Sequence, residues 1–143
     1  MSRSEPDSYI LERFVAAQNG IFDQVLSELR AGRKMSHWMW FIFPQIHGLG
    51  HSPTAIKYAI SGREEARAYL QHPILGSRLK ECTQLVLNVK DRSVEQIFGY
   101  PDNMKFRSSM TLFAQVSPQD DIFQRALQKY FSGVPDGLTL SLL

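Results

Sequence analysis

Between Lys34 and Ser52 the chain reads KMSHWMWFIFPQIHGLGHS. Both tryptophans, Trp38 and Trp40, fall in this stretch with Phe41, Phe43, three of the four histidines (His37, His47, His51) and the turn-formers Pro44, Gly48 and Gly50. Each type brings its own chemistry. An imidazole moves protons near neutral pH, an indole face stacks a planar ring, and Lys34 carries positive charge. A Gly48-Leu49-Gly50 turn ahead of the Ser52-Pro53 helix start can turn backbone amides toward an anion. A second unusual stretch sets Asp102, Lys105, Ser108 and Ser109 on adjacent turns of one predicted helix, with two neighbouring serines in mid-helix against local propensity. Local rules are broken most often at functional or strained positions, so the two stretches are expected to be halves of one site. That requires them to lie within about 15 Å of each other in a domain of this size.

The chemistry divides into alternatives. Three close histidines raise a metal site, but there is no second cysteine, no His-Glu-x-x-His helix, and no carboxylate between Lys34 and Ser61 to complete a shell. No metal is expected. Ser108 or Ser109 with Lys105 or His37 as base suggests a nucleophile, yet the Gly-x-Ser-x-Gly elbow is absent and serine shares a helix face with lysine in many proteins. The glycine turn lacks both standard phosphate fingerprints. What fits the residue types best is an anionic ligand with an aromatic part, nucleotide-like, with Lys34 and Lys105 as cations, Trp38 or Trp40 as the stacking face, and the Gly48–Gly50 turn and Ser52 as donors. Asp102 would fix Lys105 or accept from a ribose hydroxyl. His37 would move a proton if a reaction occurs. No cofactor is indicated.

The plain alternative is that Trp38, Trp40, Phe41 and Phe43 are core, their indole N–H groups satisfied by Gln45 and Ser36. A third view makes the same segment a partner or homodimer surface, because interfaces favour Trp, Phe, Met and Arg.

The elements that hold these groups read as helices. Ile10, Phe14 and Ala17 follow a helical period behind a cap at Asp7 or Ser8, ending at Asn19-Gly20. Ile21, Phe22, Val25, Leu26 and Leu29 mark a second helix stopped by Gly32. The aromatic stretch should be extended or a single turn, since Pro44 would break a helix. Ser52-Pro53 starts a short element that can be helix or strand. Ser61 and Glu64 form a capping box. After His72-Pro73, Leu75, Leu79, Cys82, Val86 and Val89 give the clearest helical period and the expected central helix. Ser93 caps a short piece closed by Gly99. Pro101 opens the helix of the second stretch, Ser117-Pro118 caps the last strong helix, and residues 136–140 form a final turn or an apolar strap.

Composition sets the frame. A chain of 143 residues with 43% hydrophobic and 21% charged residues is one globular domain, residues 1–143, with a single core. Net charge is +2 and bases alternate with acids, which gives no support to nucleic-acid or membrane-surface binding. The one cysteine excludes an internal disulfide, and no signal-like or membrane-spanning apolar run is present, so a cytoplasmic protein is expected. The expected fold is all-α, an orthogonal assembly of about six to eight helices with at most minor strand.

The motifs Lys34-x-Ser36-His37-Trp38-Met39-Trp40, Phe43-Pro44-Gln45 and Gly48-Leu49-Gly50-x-Ser52 resemble the bacterial family of small, mainly helical proteins called domain of unknown function 1810. So do Tyr69-Leu70-x-His72-Pro73-x-Leu75-Gly76-x-Arg78-Leu79 and Phe98-Gly99-x-x-Asp102-x-x-Lys105-x-x-Ser108-Ser109-x-Thr111-Leu112-Phe113. The resemblance runs from the first helix to the tail. It implies a mainly helical fold and marks 34–52 and 102–109 as signatures, but supplies no mechanism. The label calpastatin carried by some members finds no support, because inhibitor segments of that kind are disordered and this chain is patterned to fold.

Overall fold

Glycine, proline and a few caps divide the chain into ten helices among the residues described, 9–143, of the computed structural model. They are α1 (Glu12–Asn19), α2 (Phe22–Arg30), α3 (Met39–Ile42), α4 (Pro53–Lys57) and α5 (Arg63–Gln71), then α6 (Leu75–Asn88), α7 (Val94–Phe98), α8 (Asp102–Val116), α9 (Ile122–Phe131) and α10 (Gly137–Ser141). The fold is all-α. The count exceeds the expected six to eight because α3, α4, α7 and α10 are single turns of four or five residues. The segment after Ser52 is helical, and the only pairing of extended backbone among the described residues is one parallel bridge between Ile46 and Ile60.

Several ends follow the local rules. Ser52 Oγ accepts from Ala55 N, with Pro53 at the first helical position. At α7, Ser93 and Gln96 form a reciprocal capping box, and Gly99 closes the turn at φ +76°. Other expected caps are corrected. α1 begins at Glu12 with no side-chain cap, and the proposed caps Asp7 and Ser8 lie outside the described residues. Ser61 and Glu64 form no box: α5 starts after Gly62, and Ser61 N donates to Glu65 Oε1 (2.7 Å). Ser117 does not cap α9; its hydroxyl donates to Asp120 Oδ2 (2.6 Å), holding a turn before the helix begins at Ile122.

The centre is α8 rather than α6. α8 is the longest helix, 15 residues, and packs against α5, α7, α9 and α10. Residues 108–113 of α8 are all buried, so this helix has no solvent stripe over its middle. α6 packs against α2, α3, α5 and α9, its Leu75, Leu79, Cys82 and Val86 turned inward. Gly76 lets α6 meet the end of α5, because a Cβ there would lie 2.0 Å from the Leu70 carbonyl oxygen. An aromatic chain joins the layers: Phe43 meets Phe106 at 5.0 Å and Phe98 at 5.9 Å, and Phe98 stacks on Phe106 at 4.8 Å. Rings of this size are the main contributors to burial energy in a core.

Candidate functional site

The aromatic segment is positioned from two sides. On one, Gln18 of α1 donates to the Phe41 carbonyl (2.7 Å), fixing α3 against α1. On the other, Glu28 of α2 gathers the loop before α3. Its carboxylate accepts from Met35 N (2.7 Å), Ser36 N (3.0 Å), Ser36 Oγ (2.6 Å), Trp38 Nε1 (2.9 Å) and Gln24 Nε2 (2.9 Å). Burial pushes its carboxyl upward, but the hydrogen bonds from Ser36, Met35, Gln24 and Trp38 outweigh that and hold the pKa at about 2. Glu28 is therefore a fixed anion that organises residues 35–38. The partner expected for a tryptophan N–H was Ser36 or Gln45; for Trp38 it is Glu28, which also holds Ser36.

The two unusual stretches meet at Asp102. Lys34 Nζ lies 2.8 Å from Asp102 Oδ2, and Lys105 Nζ lies 3.4 Å from Asp102 Oδ1. Each ammonium also sits against an indole, Lys34 at 5.2 Å from the Trp38 ring and Lys105 at 4.8 Å from the Trp40 ring. The two pairs differ in depth. The Lys34 side chain is 8% exposed and Trp38 is fully buried, whereas the Lys105 side chain is 25% exposed and Trp40 is half-buried.

Lys105 and Trp40 face an open cleft of about 630 Å³. Gln45, Gly50 and Ser52 line its loop side, Ser108 its helical wall, and Asp136 with Leu138 of α10 close one edge. Tyr100, Pro101 and Met104 form an apolar rim at the start of α8. Among the described residues neither the Trp40 ring N–H nor the Gln45 carboxamide makes a hydrogen bond within the protein. Among the buried side chains of the described residues only Asn103 Oδ1 and Ser109 Oγ also lack a partner; others are paired, as Tyr69 Oη is with Gln18 (3.2 Å).

Six of the residues singled out in the sequence thus share the cleft: Trp40, Gln45, Gly50, Ser52, Lys105 and Ser108. Lys34 and Asp102 stand behind it and reach it through Lys105. Five do not join it. Trp38 is core and offers no face to a ligand, Ser36 is held by Glu28, and Ser109 is fully buried with its hydroxyl unpartnered. Gly48, at φ +107°, makes a turn beside Leu142, outside the lining. His37 is exposed and is not among the residues that line the cleft; the histidine that lines it is His51. A serine nucleophile is also unsupported. The Ser108 hydroxyl is shared between Met104 O (3.1 Å) and Asp136 Oδ2 (3.2 Å), and neither expected base, Lys105 or His37, makes a hydrogen bond to it. No group of three or more His, Cys, Asp or Glu among the described residues is placed to hold a metal ion, and no described helix is long and apolar enough to cross a membrane.

Sequence reasoning missed Glu28, Tyr100 and Asp136, and weighed His51 only as a metal ligand. Asp136 was legible as a cap, since it stands three residues before Thr139 and accepts from Thr139 N (3.1 Å) and Oγ1 (2.6 Å). Glu28 had a weaker signal, its four-residue spacing from Gln24 on a helix next to the aromatic stretch.

No curated protein matches the chain. Among solved structures, the crystal structure of the conserved hypothetical protein Rv1873 from Mycobacterium tuberculosis is 55% identical, with a TM-score of 0.95, over 96% of this chain and 98% of that one. Residues 8–143 match the sequence model of the family described as protein of unknown function (DUF1810), and the chain belongs to that family.

Proposed function

We propose that the cleft between α3 and α8 binds a small anion bearing a planar ring, of nucleotide type. The observation that carries this is the pairing of Lys105 with Trp40. A partly exposed ammonium lies 4.8 Å from a half-buried indole at the wall of an open cleft. Lys105 shares its one carboxylate, Asp102, with Lys34, so two cations face one anion and a positive charge is left over toward the cleft. The lining also carries Asp136, whose negative charge persists under its hydrogen bonds from Ser108 and Thr139, so the positive surplus is local to Lys105. A phosphate would take the surplus charge of Lys105 while a ring packs on the indole, and the free N–H and amide of Trp40 and Gln45 would supply orientation. The reading is one of binding. No residue is placed as nucleophile, and His51 and Asp136 are the groups in the lining suited to proton transfer if a reaction follows. A cytoplasmic setting goes with it, because the single cysteine, Cys82, is a buried free thiol.

A thermal-shift series with mono- and dinucleotides tests the proposal. A ligand at a hundred times its dissociation constant stabilises the folded state by about 2.7 kcal/mol, a rise of about 5 °C or more for a domain of this size. The rise should vanish in a Lys105→Ala, Trp40→Leu double variant. No shift with any nucleotide, or a shift that survives in that variant, would sink the proposal.

One observation favours a second reading, a partner or homodimer surface. Trp38 and Phe43 are core, so the aromatic segment no longer provides it, but Tyr100 and Leu138 at the cleft rim are 80% and 67% exposed. Light scattering separates the two: a mass that rises with concentration, and falls back in Tyr100→Ser, Leu138→Ser, supports the interface.

A further inference from the structure

Resting on that nucleotide cleft, we infer that Gln45 is the specificity-determining residue and reads the amino-bearing edge of an adenine ring. Its backbone is fixed on both sides. The Gln45 carbonyl accepts from Ile60 N (2.8 Å), and His47 N donates to Ile60 O (2.8 Å), so the Ile46–Ile60 bridge pins the residue where Pro44 leads out of α3. The residue is half-buried and lines both the open cleft and a smaller pocket of about 10 Å³ that also involves Trp40. It nonetheless has no hydrogen bond within the described chain.

The contrast with Gln18 gives this its meaning. That carboxamide, inside the fold, donates to Phe41 O (2.7 Å) and Tyr69 Oη (3.2 Å) and accepts from Arg78 Nη1 (3.1 Å). A buried amide is ordinarily satisfied in this way, because leaving its donor and acceptor unmet is costly. Gln45 differs from Gln18 in that its amide is not buried but open to the cleft; pinned beside the indole expected to stack the ring, and the one carboxamide in the cleft lining, it presents a free donor and acceptor to whatever lies on Trp40.

A carboxamide offers one acceptor and one donor side by side. Adenine answers with an amino N–H and an adjacent ring nitrogen, the pairing by which Asn and Gln hold this base elsewhere. A carboxylate in its place offers two acceptors and suits the two-donor edge of guanine, its ring N–H and 2-amino group. One bidentate pair of this kind discriminates by roughly 5- to 150-fold.

The test is a set of dissociation constants for adenosine monophosphate, purine riboside monophosphate, which lacks the amino group, and guanosine monophosphate, measured by calorimetry. In the wild type adenosine monophosphate should bind at least about fivefold more tightly than purine riboside monophosphate. In Gln45→Leu the two should become equal, and in Gln45→Glu the guanine nucleotide should overtake the adenine one. Equal binding of the first two by the wild type overturns the inference while leaving the cleft intact as a nucleotide site; so does an adenine preference that persists in Gln45→Leu. Binding of none of the three overturns both. The wild-type comparison stands even if a variant fails to fold.

Discussion

Lys34 and Asp102, from opposite ends of the candidate site, form a 2.8 Å ion pair whose lysine is nearly sealed from solvent against the Trp38 ring. The pair joins the loop before α3 to the first turn of α8. It is also what makes the two halves of the site a single structure. Lys34 is tied in at its backbone as well, where its N–H donates to Ile97 O (2.7 Å) of α7.

Removing the carboxylate from this cluster should therefore destabilise the fold, because it leaves two ammonium groups with no counter-charge. Asp102→Asn is expected to lower the unfolding free energy by about 1–3 kcal/mol in urea titration. A cycle with Lys34→Met should show coupling, the double variant losing less than the sum of the two single ones.

Glu28 makes stability depend on acid. Its folded-state pKa, about 2, lies below the ordinary carboxyl value of 4.5, so the unfolded chain binds the extra proton between these pH values. The stabilisation is fully present above pH 4.5 and is lost as pH falls toward 2. Its size is up to about 3 kcal/mol for a shift of this extent. Urea midpoints measured from pH 5 down to 2 should show a fall that is smaller in Glu28→Gln, which should be less stable than wild type at pH 7.

The two tryptophans should separate cleanly under substitution. Trp38→Phe shrinks a fully buried indole to a phenyl ring and removes one of the donors to Glu28, and should cost about 2–4 kcal/mol. Trp40→Phe should cost less than about 1 kcal/mol, since its ring is half-buried and its N–H is unpaired. Nucleotide affinity should respond in the opposite order when Trp40→Leu is compared with Trp38→Phe.

Two glycines of similar appearance in the sequence should behave differently. At Gly76 a Cβ would overlap the Leu70 carbonyl, so Gly76→Ala should lose about 3 kcal/mol or more as α5 and α6 are pushed apart. At Gly20 nothing lies within 4 Å and the backbone is right-handed, so Gly20→Ala should be neutral or slightly stabilising, read as a change in thermal midpoint.

Much of the helical fold is legible because its period is strong: Leu75, Leu79, Cys82 and Val86 repeat along α6, and Ser93 with Gln96 announces α7. The site was legible as a pair of segments but not in its orientation. Trp38 and Trp40 stand two apart around an irregular turn with no period to say which faces in, and the deciding contact, Trp38 to Glu28, comes from another helix. For the same reason His37 and His51 could not be ranked from spacing alone. The mid-helix serines Ser108 and Ser109 did mark an unusual position, although the cause is partly burial: α8 is enclosed on nearly all sides, and its Ser108 and Thr111 turn back to carbonyls one turn earlier.

The bridge at Ile46 and Ile60 has a consequence for time rather than for shape. α4, inside the loop it closes, buries none of its residues, and the loop is otherwise tied down by Arg13, which donates to the carbonyls of Lys57 (2.8 Å) and Ala59 (2.9 Å), and by the Tyr58 ring against Phe14 and Phe41. A segment so held can detach as a unit while the core remains folded. Its amides should then exchange with deuterium together and well before those of α6 and α8, with His47 and Ile60 the slowest among them. The loop side of the cleft, Gln45 to Ser52, would open at that same frequency, so the escape of a bound molecule and the exchange of these amides would share one clock.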